Sequence, residues 1–294
     1  MIIDAHNHPD WDGMNFESFI ADMDKNGIDK TWLLTWEAPF GDYSPFNLEM
    51  TSGHLFESKD TNSYPVPFER CIDYVQRAPE RFILGYAPDL RRVDALSCMK
   101  TAVSIYGVKV CGEVKLRMLY DNPDAVEIFK FCGDANIPVT LHFDYPQATK
   151  KSYNYPRSNW WYGGSIDTLE HLLNLCPKTN FLGHAPGFWG HISNDDLMYT
   201  VSNPDAPVKT GGKIEYLLGA YPNLYCDISA KSGYSALSRD KEYSYKLINK
   251  FPDRFLYARD CFDNKHQQII EELNLNKDVK ELIYYKNAER LINK

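Results

Sequence analysis

Short apolar runs alternate with amphipathic stretches of helical period along the whole sequence. The runs fall at Met1 to Asp4, Thr31 to Thr35, Phe82 to Ala87, Gly107 to Lys115, Val139 to His142, Asn180 to Gly183, Leu224 to Ile228 and Phe255 to Ala258. Helical stretches lie near residues 15–25, 66–78, 93–104, 123–135, 165–175, 212–220, 239–250 and 264–273, with a last one around 277–291. A strand followed by a helix, repeated, builds a parallel sheet with helices outside it, because parallel neighbours need a long crossover. Eight such units in 294 residues predict an α/β fold, a (β/α)8 TIM barrel forming one domain over residues 1–294. The competing architecture, an open doubly wound sheet, usually carries a glycine-rich phosphate loop after its first strand, and this sequence has none there.

Three segments exceed a simple connection: Glu37 to Tyr64, Asp144 to Gly163 and Pro186 to Thr210. Each follows a predicted strand, so in a barrel they are long βα capping loops over the face where active sites are built. The charge balance, 32 Lys plus Arg against 40 Asp plus Glu, lacks the basic footprint of a nucleic-acid partner. No apolar run approaches the roughly 18 residues that cross a bilayer. The chain opens on Met1-Ile2-Ile3-Asp4, without the charged and apolar regions of a signal peptide. Its seven cysteines are scattered and odd in number, which suits reduced thiols and a cytoplasmic location. The expected partner is a small-molecule substrate, with no nucleic acid and no membrane; a homodimer is expected on general grounds.

The chemistry concentrates at strand ends. The first strand runs into Asp4-Ala5-His6-Asn7-His8, and residues two apart on a strand face the same way, so both imidazoles can grip one ion. His142 ends the fifth strand, His184 the sixth, and Asp260 follows the eighth. Any one of these has a bland reading as a satisfied core residue. Four histidines and an aspartate past the C-terminal ends of strands one, five, six and eight do not, because those ends converge on one rim. His54, His171, His191 and His266 fall in loops or helices and read as surface or structural.

The ordered set of motifs resembles the amidohydrolase superfamily, and more closely its amidohydrolase-related branch, relatives of aminocarboxymuconate-semialdehyde decarboxylase. The likeness spans nearly the whole chain: Asp4-Ala5-His6-Asn7-His8, Gly112-Glu113-Val114-Lys115, Leu141-His142-Phe143-Asp144, Phe181-Leu182-Gly183-His184-Ala185-Pro186-Gly187, Leu224-Tyr225-Cys226-Asp227-Ile228-Ser229 and Asn287-Ala288-Glu289-Arg290-Leu291. The resemblance implies that His6, His8, His142 and Asp260 hold one divalent metal ion, with zinc expected and manganese or iron as alternatives. It also implies that His184 lies beside a water on that metal, so that Asp260 and His184 handle protons as the catalytic residues. Imidazoles and a carboxylate suit such an ion, which lowers the pKa of a bound water toward about 7. One departure stands out: the family usually reads Gly-Thr-Asp or Gly-Ser-Asp where this chain has Ala258-Arg259-Asp260. Strand alternation predicts that Arg259 points outward.

Glu113 and Lys115 are again two apart and are expected to pair, either supporting the metal ligands or contacting substrate; the bland reading is a buried ion pair. A binuclear site bridged by a carboxylated Lys115, as in other members of the superfamily, is the less favoured arrangement. Trp11, Trp36, Tyr145, Tyr153, Tyr155, Trp160, Trp161, Tyr162, Phe188 and Trp189 crowd the predicted capping loops and early strand ends. They suit an aromatic pocket for a sugar, an aromatic acid or a lactone, or equally a self-packed lid. Arg117 and Arg157 are candidate carboxylate clamps. Glu113, Lys115, Arg117, Trp36, Tyr145, Arg157 and Trp160 are therefore the candidate substrate-binding residues. The leading expectation is a metal-dependent hydrolase acting on a small carbonyl, amide or lactone substrate. A non-oxidative decarboxylase of an aromatic or unsaturated acid on the same site comes second, and a non-catalytic binding barrel third. A serine hydrolase lacks its GxSxG elbow, and Cys111 and Cys261 have no evident base nearby in sequence.

Overall fold

The structure is a computed structural model that describes residues 1–37, 66–144 and 162–293. All eight predicted strands are present: β1 (Ile3–Asn7), β2 (Lys30–Leu33), β3 (Phe82–Leu84), β4 (Cys111–Val114), β5 (Val139–His142), β6 (Phe181–His184), β7 (Leu224–Asp227) and β8 (Phe255–Leu256). They run parallel in sequence order, with β1 to β3 in one sheet and β4 to β8 in another. Backbone hydrogen bonds join these sheets along both seams. Lys109 N donates to Leu84 O and Tyr86 N to Val110 O, each at 2.9 Å, between β3 and β4. Ala5 N donates to Tyr257 O at 2.9 Å and Asp260 N to His6 O at 2.8 Å, between β8 and β1. The result is the expected (β/α)8 barrel.

Helices follow the strands: α1 (Phe16–Asn26), α2 (Phe68–Arg77), α3 (Ala95–Tyr106), α4 (Pro123–Asp134), α5 (Ile166–Leu175), α6 (Pro186–Trp189), α7 (Lys213–Ala220), α8 (Ala230–Ser238), α9 (Lys241–Lys250), α10 (Lys265–Glu272), α11 (Lys277–Glu281) and α12 (Asn287–Ile292). Local chemistry sets several boundaries. Asn15 and Ser18 form a capping box at the start of α1, and Gly27, at φ 65°, ends it in the left-handed region. Two helices escape the sequence reading. Pro186–Trp189 lies inside a predicted capping loop, and Ala230–Ser238 is built from small residues that leave no clear apolar stripe. Among the described residues, no helix is long and apolar enough to cross a membrane.

Two apolar clusters divide the interior. Leu33, Cys111, Val139, Leu141, Phe181, Leu224, Cys226 and Phe255 face outward and pack with the helices. Ile3, Ala5, Trp32, Leu34, Val110, Leu182, Tyr225, Leu256 and Ala258 form the inner cluster, which Ala288 and Leu291 of α12 join. One step further along each strand, on the same face, the side chains turn polar. Leu182 is followed by His184, Tyr225 by Asp227, and Ala258 by Asp260, while in β5 the polar Thr140 already precedes His142. The period of two thus stacks a polar layer on the apolar one.

Two register shifts complete that layer. Between Asp4 and Asn7 the pairing of β1 with β2 slips, and between Cys111 and Val114 the pairing of β4 with β5 slips. Such irregularities re-aim side chains at barrel rims. In β1 the shift lets His6 and His8 share the interior with Ile3 and Ala5, while Asp4 faces the helices. In β4 it turns Glu113 inward although Val110 already faces in, and leaves Val114 in the outer cluster.

Candidate metal centre

Six of these inward groups meet at the C-terminal rim. His6 Nδ1 lies 2.6 Å from Asp227 Oδ2, and His8 Nδ1 lies 2.8 Å from the carbonyl oxygen of Leu34. Both partners accept, so each Nδ1 carries a proton and each Nε2 faces the pocket. The two Nε2 atoms are 3.3 Å apart. Glu113 Oε2 is 3.5 Å from His8 Nε2 and 4.0 Å from His6 Nε2, while Glu113 Oε1 is 2.6 Å from His142 Nδ1. His184 Nε2 lies 3.6 Å from Glu113 Oε1 and 3.8 Å from Asp260 Oδ2. Its Nδ1 meets Ser229 Oγ at 2.9 Å. Asp260 Oδ1 is 3.5 Å from His8 Nε2.

Ligand atoms within 4.8 Å of one another form three overlapping groups: His6, His8 and Glu113; His6, His184 and Asp260; and Glu113, His142 and His184. His6, His8, His142 and Asp260 are thus gathered at one mouth but belong to no single group. Glu113 sits among them, in closer contact with the histidines than the sequence reading placed it.

The electrostatics favour a cation. Burial alone would lower the His6 imidazole, but the carboxylates of Asp227, Asp260 and Glu113 raise it to about 10. Asp227 itself, despite burial, is held down at about 2 by His6 and His184. Burial pushes Asp260 up, and burial together with Lys115 pushes His142 down to about 4. Burial also holds His184 well below the ordinary imidazole range, so it is neutral at pH 7. Glu113 remains a carboxylate in spite of its burial, because Lys115 and His142 hold it well below the usual range. Two imidazole Nε2 atoms 3.3 Å apart need a cation between them, either the proton that a charged His6 donates or a metal ion in its place. The buried Asp260 Oδ1 has no hydrogen-bond partner. The nitrogen and oxygen donors therefore fit a divalent ion, which would satisfy both the opposed imidazoles and the orphaned oxygen.

Other expected site residues take different places. Lys115 forms no ion pair with Glu113 among the described residues; its Nζ lies over the Trp36 ring, 4.3 Å from the centroid, and 5.8 Å from that of Tyr162. Trp36 is buried and donates from Nε1 to the carbonyl of Lys115 at 3.0 Å, so it reaches the mouth through Lys115. Arg117 Cζ stands 5.9 Å from the Tyr162 centroid. Trp11 packs against His8 with centroids 5.1 Å apart. Phe188 and Trp189 belong to the core, where Phe188 covers Gly183 and Trp189 Nε1 donates to the carbonyl of Asp227 at 2.9 Å. Tyr145, Arg157 and Trp160, with Tyr153, Tyr155, Trp161 and His54, lie outside the described residues.

Arg259 faces away from the mouth, as alternation predicts, and is completely buried there. Nε bonds Asp4 Oδ2 at 2.9 Å and Nη1 bonds Asp22 Oδ2 at 2.8 Å. A cation beside Asp260 is tolerated because two acids, one from β1 and one from α1, neutralise it behind the strand. Sequence reasoning missed Asp227 and Ser229 as the groups that orient His6 and His184. Their signal was available, since Asp227 and Ser229 are two apart at the end of β7, the same spacing that singled out His6 and His8.

No family model and no curated protein matches the chain in sequence. Solved structures do match its shape. An uncharacterised TIM-barrel protein from Bordetella bronchiseptica superposes with a TM-score of 0.63 at 16% identity, covering 99% of this chain and 98% of that one. A dihydroxybenzoic acid decarboxylase from Polaromonas sp. JS666, solved with manganese and the inhibitor 2-nitroresorcinol, gives 0.62 at 15% identity over 99% and 96%. A putative amidohydrolase from Staphylococcus aureus gives 0.60 at 18% identity over 100% and 99%. The chain has their fold. That fold is the one implied by the amidohydrolase-related resemblance, and it is shared end to end.

Proposed function

We propose that this chain is a metal-dependent enzyme of the amidohydrolase superfamily, a hydrolase that turns an activated water on a small carbonyl, amide or lactone substrate. The observation that carries the reading is the convergence of His6, His8, Glu113, His142, His184 and Asp260, with opposed imidazole nitrogens and an orphaned carboxylate oxygen. His6, His8 and Asp260 would hold the ion, with His142 or Glu113 completing the set; zinc suits the imidazole-rich donors, and manganese the carboxylates. Such an ion supplies Lewis acidity and lowers the pKa of a bound water.

The remaining work belongs to the chain's own groups. Asp227 fixes His6 in the tautomer that presents Nε2. Ser229 holds His184 by Nδ1, leaving Nε2 to accept a proton beside Asp260. Because burial keeps His184 neutral, it is competent as a base at pH 7. Lys115, braced over Trp36 at the mouth, provides a positive charge for an anionic substrate group.

A second reading, non-oxidative decarboxylation of an aromatic or unsaturated acid, is supported by the decarboxylase among the structures of like fold and by the Lys115 charge. The first test is elemental analysis of chelator-free protein beside His6→Ala. We expect about one divalent ion per chain to be lost in the variant, together with turnover of a screened panel of lactones, amides and aromatic acids. Equal metal content in both proteins would overturn the site. Oxygen-18 from solvent in the product would mark hydrolysis, and carbon dioxide release without it would mark decarboxylation.

A further inference from the structure

A second cluster of ligand types lies just beyond the mouth, where the chain leaves β8 and enters α10. Cys261, Asp263 and His266 place one ligand atom each within 4.8 Å of the others. His266 is 2% exposed. Its Nε2 is 3.0 Å from the carbonyl oxygen of Ala230, which can only accept, so Nε2 carries the proton. Nδ1 therefore presents a lone pair, and that buried atom has no hydrogen-bond partner. Cys261 Sγ lies 3.7 Å from Asp263 Oδ1. Asp263 is braced by Lys265, whose backbone N donates to Oδ1 at 3.1 Å and whose Nζ pairs with Oδ2 at 2.8 Å. The sequence alone gave Cys261 no partner and set His266 aside as structural. The turn at Asp260, φ 51°, brings them together.

We propose that Cys261, Asp263 and His266 form a second metal site, distinct from the barrel mouth and specific for a thiophilic divalent cation such as zinc. The donor set is one sulfur, one nitrogen and one oxygen, with solvent as a fourth ligand. Thiolate and imidazole together select zinc over magnesium or calcium. Tetrahedral zinc places its ligand atoms about 3.4–3.8 Å apart, so closing on an ion takes about 1 Å of side-chain movement. Binding replaces the Sγ hydrogen bond to Asp263 and releases the thiol proton to solvent. The partial exposure of Cys261 and Asp263 leaves an entry path, while His266 forms the buried floor. The site braces the turn that carries Asp260, which gives it a structural role.

Cobalt(II) separates the two sites, because only this one contains sulfur. Metal-free protein titrated with cobalt should develop near-ultraviolet thiolate-to-cobalt absorption, which zinc then erases. The band should persist in His6→Ala and vanish in Cys261→Ser. Its absence at saturating cobalt, or its survival in Cys261→Ser, overturns the proposal. A second measurement leaves all three ligands in place. In a Cys98→Ser background, Cys261 is the one cysteine that is not buried. Zinc in excess over both sites should slow its alkylation by about tenfold or more, and an unchanged rate overturns the proposal. Loss of the mouth site with this one intact, or the reverse, tells the two readings apart.

Discussion

At the residue scale, the groups that orient ligands matter nearly as much as the ligands. Asp227→Asn keeps the size of the side chain but removes the carboxylate that holds His6 Nδ1–H. Metal affinity should fall by about 10- to 100-fold with little change in folding, which competition with a chromogenic chelator would measure; wild-type affinity would refute the role. Arg259 makes the opposite kind of claim, about stability. Replacing it with Met leaves Asp4 and Asp22 buried without their cation and should cost about 3–5 kcal/mol by urea denaturation. Removing one of the two stranded acids with Asp22→Asn in the same chain should recover part of the loss. Four imidazoles and one carboxylate of the mouth were legible in the sequence because strand ends and period-two spacing locate them. The spacing of Asp227 and Ser229 was legible too, but their partners were not, and neither were the buried partners of Arg259, because hydrogen bonds between elements far apart in sequence leave no local pattern.

At the element scale, the segment after β6 is pinned rather than draped. Asp195 meets Arg239, at the end of α8, with Oδ2 2.8 Å from Nη2 and both side chains nearly enclosed. Arg239 also donates to the carbonyl of Ala206. Burial alone would raise Asp195, but Ser193 Oγ, the Leu197 N–H and Arg239 hold it below the usual carboxylate value. A carboxyl depressed in the folded state adds stability that is complete above its unfolded pKa of about 4 and fades as pH falls through the lower native value. Asp195→Asn should therefore cost about 3 kcal/mol at pH 7. Its deficit in Tm against the parent should shrink below about pH 4; a deficit constant with pH would show that the charge is not involved. Gly183 makes a steric constraint testable. An added Cβ would lie 2.4 Å from the Phe188 ring, so Gly183→Ala should destabilise by about 1–3 kcal/mol through overpacking. The eight strands were legible as apolar runs and α1 as an amphipathic period. The helix at Ala230–Ser238 was not, since Ser232, Gly233 and Ala236 bury well without an apolar stripe. The two register shifts were also invisible, because a bulge is a property of the pairing and not of either strand.

At the scale of the whole molecule, the centre spans the barrel's two sheets. His6 stands on β1 of the three-stranded sheet and His8 directly follows that strand, while Glu113, His142, His184 and Asp260 extend from the five-stranded one. Close to this centre, the seam between β8 and β1 carries the bonds Ala5 N to Tyr257 O and Asp260 N to His6 O. An ion shared by His6, His8 and Asp260 would act as a further crosslink across that seam, present in the folded chain and without an equivalent in the unfolded one. Its contribution follows from mass action: at an ion concentration about 1,000 times the Kd, roughly 4 kcal/mol. For a chain of this length, that corresponds to a rise in Tm of roughly 8 °C. Calorimetry with and without chelator should show that shift in the parent. His6→Ala should begin near the Tm of the stripped parent and lose that share of the response to chelator, while Cys261→Ser should keep it. An equal response in His6→Ala and the parent would mean that the barrel mouth does not tie its sheets together through an ion, and the centre would have to be read as a hydrogen-bonded cluster held by His6 in its charged form.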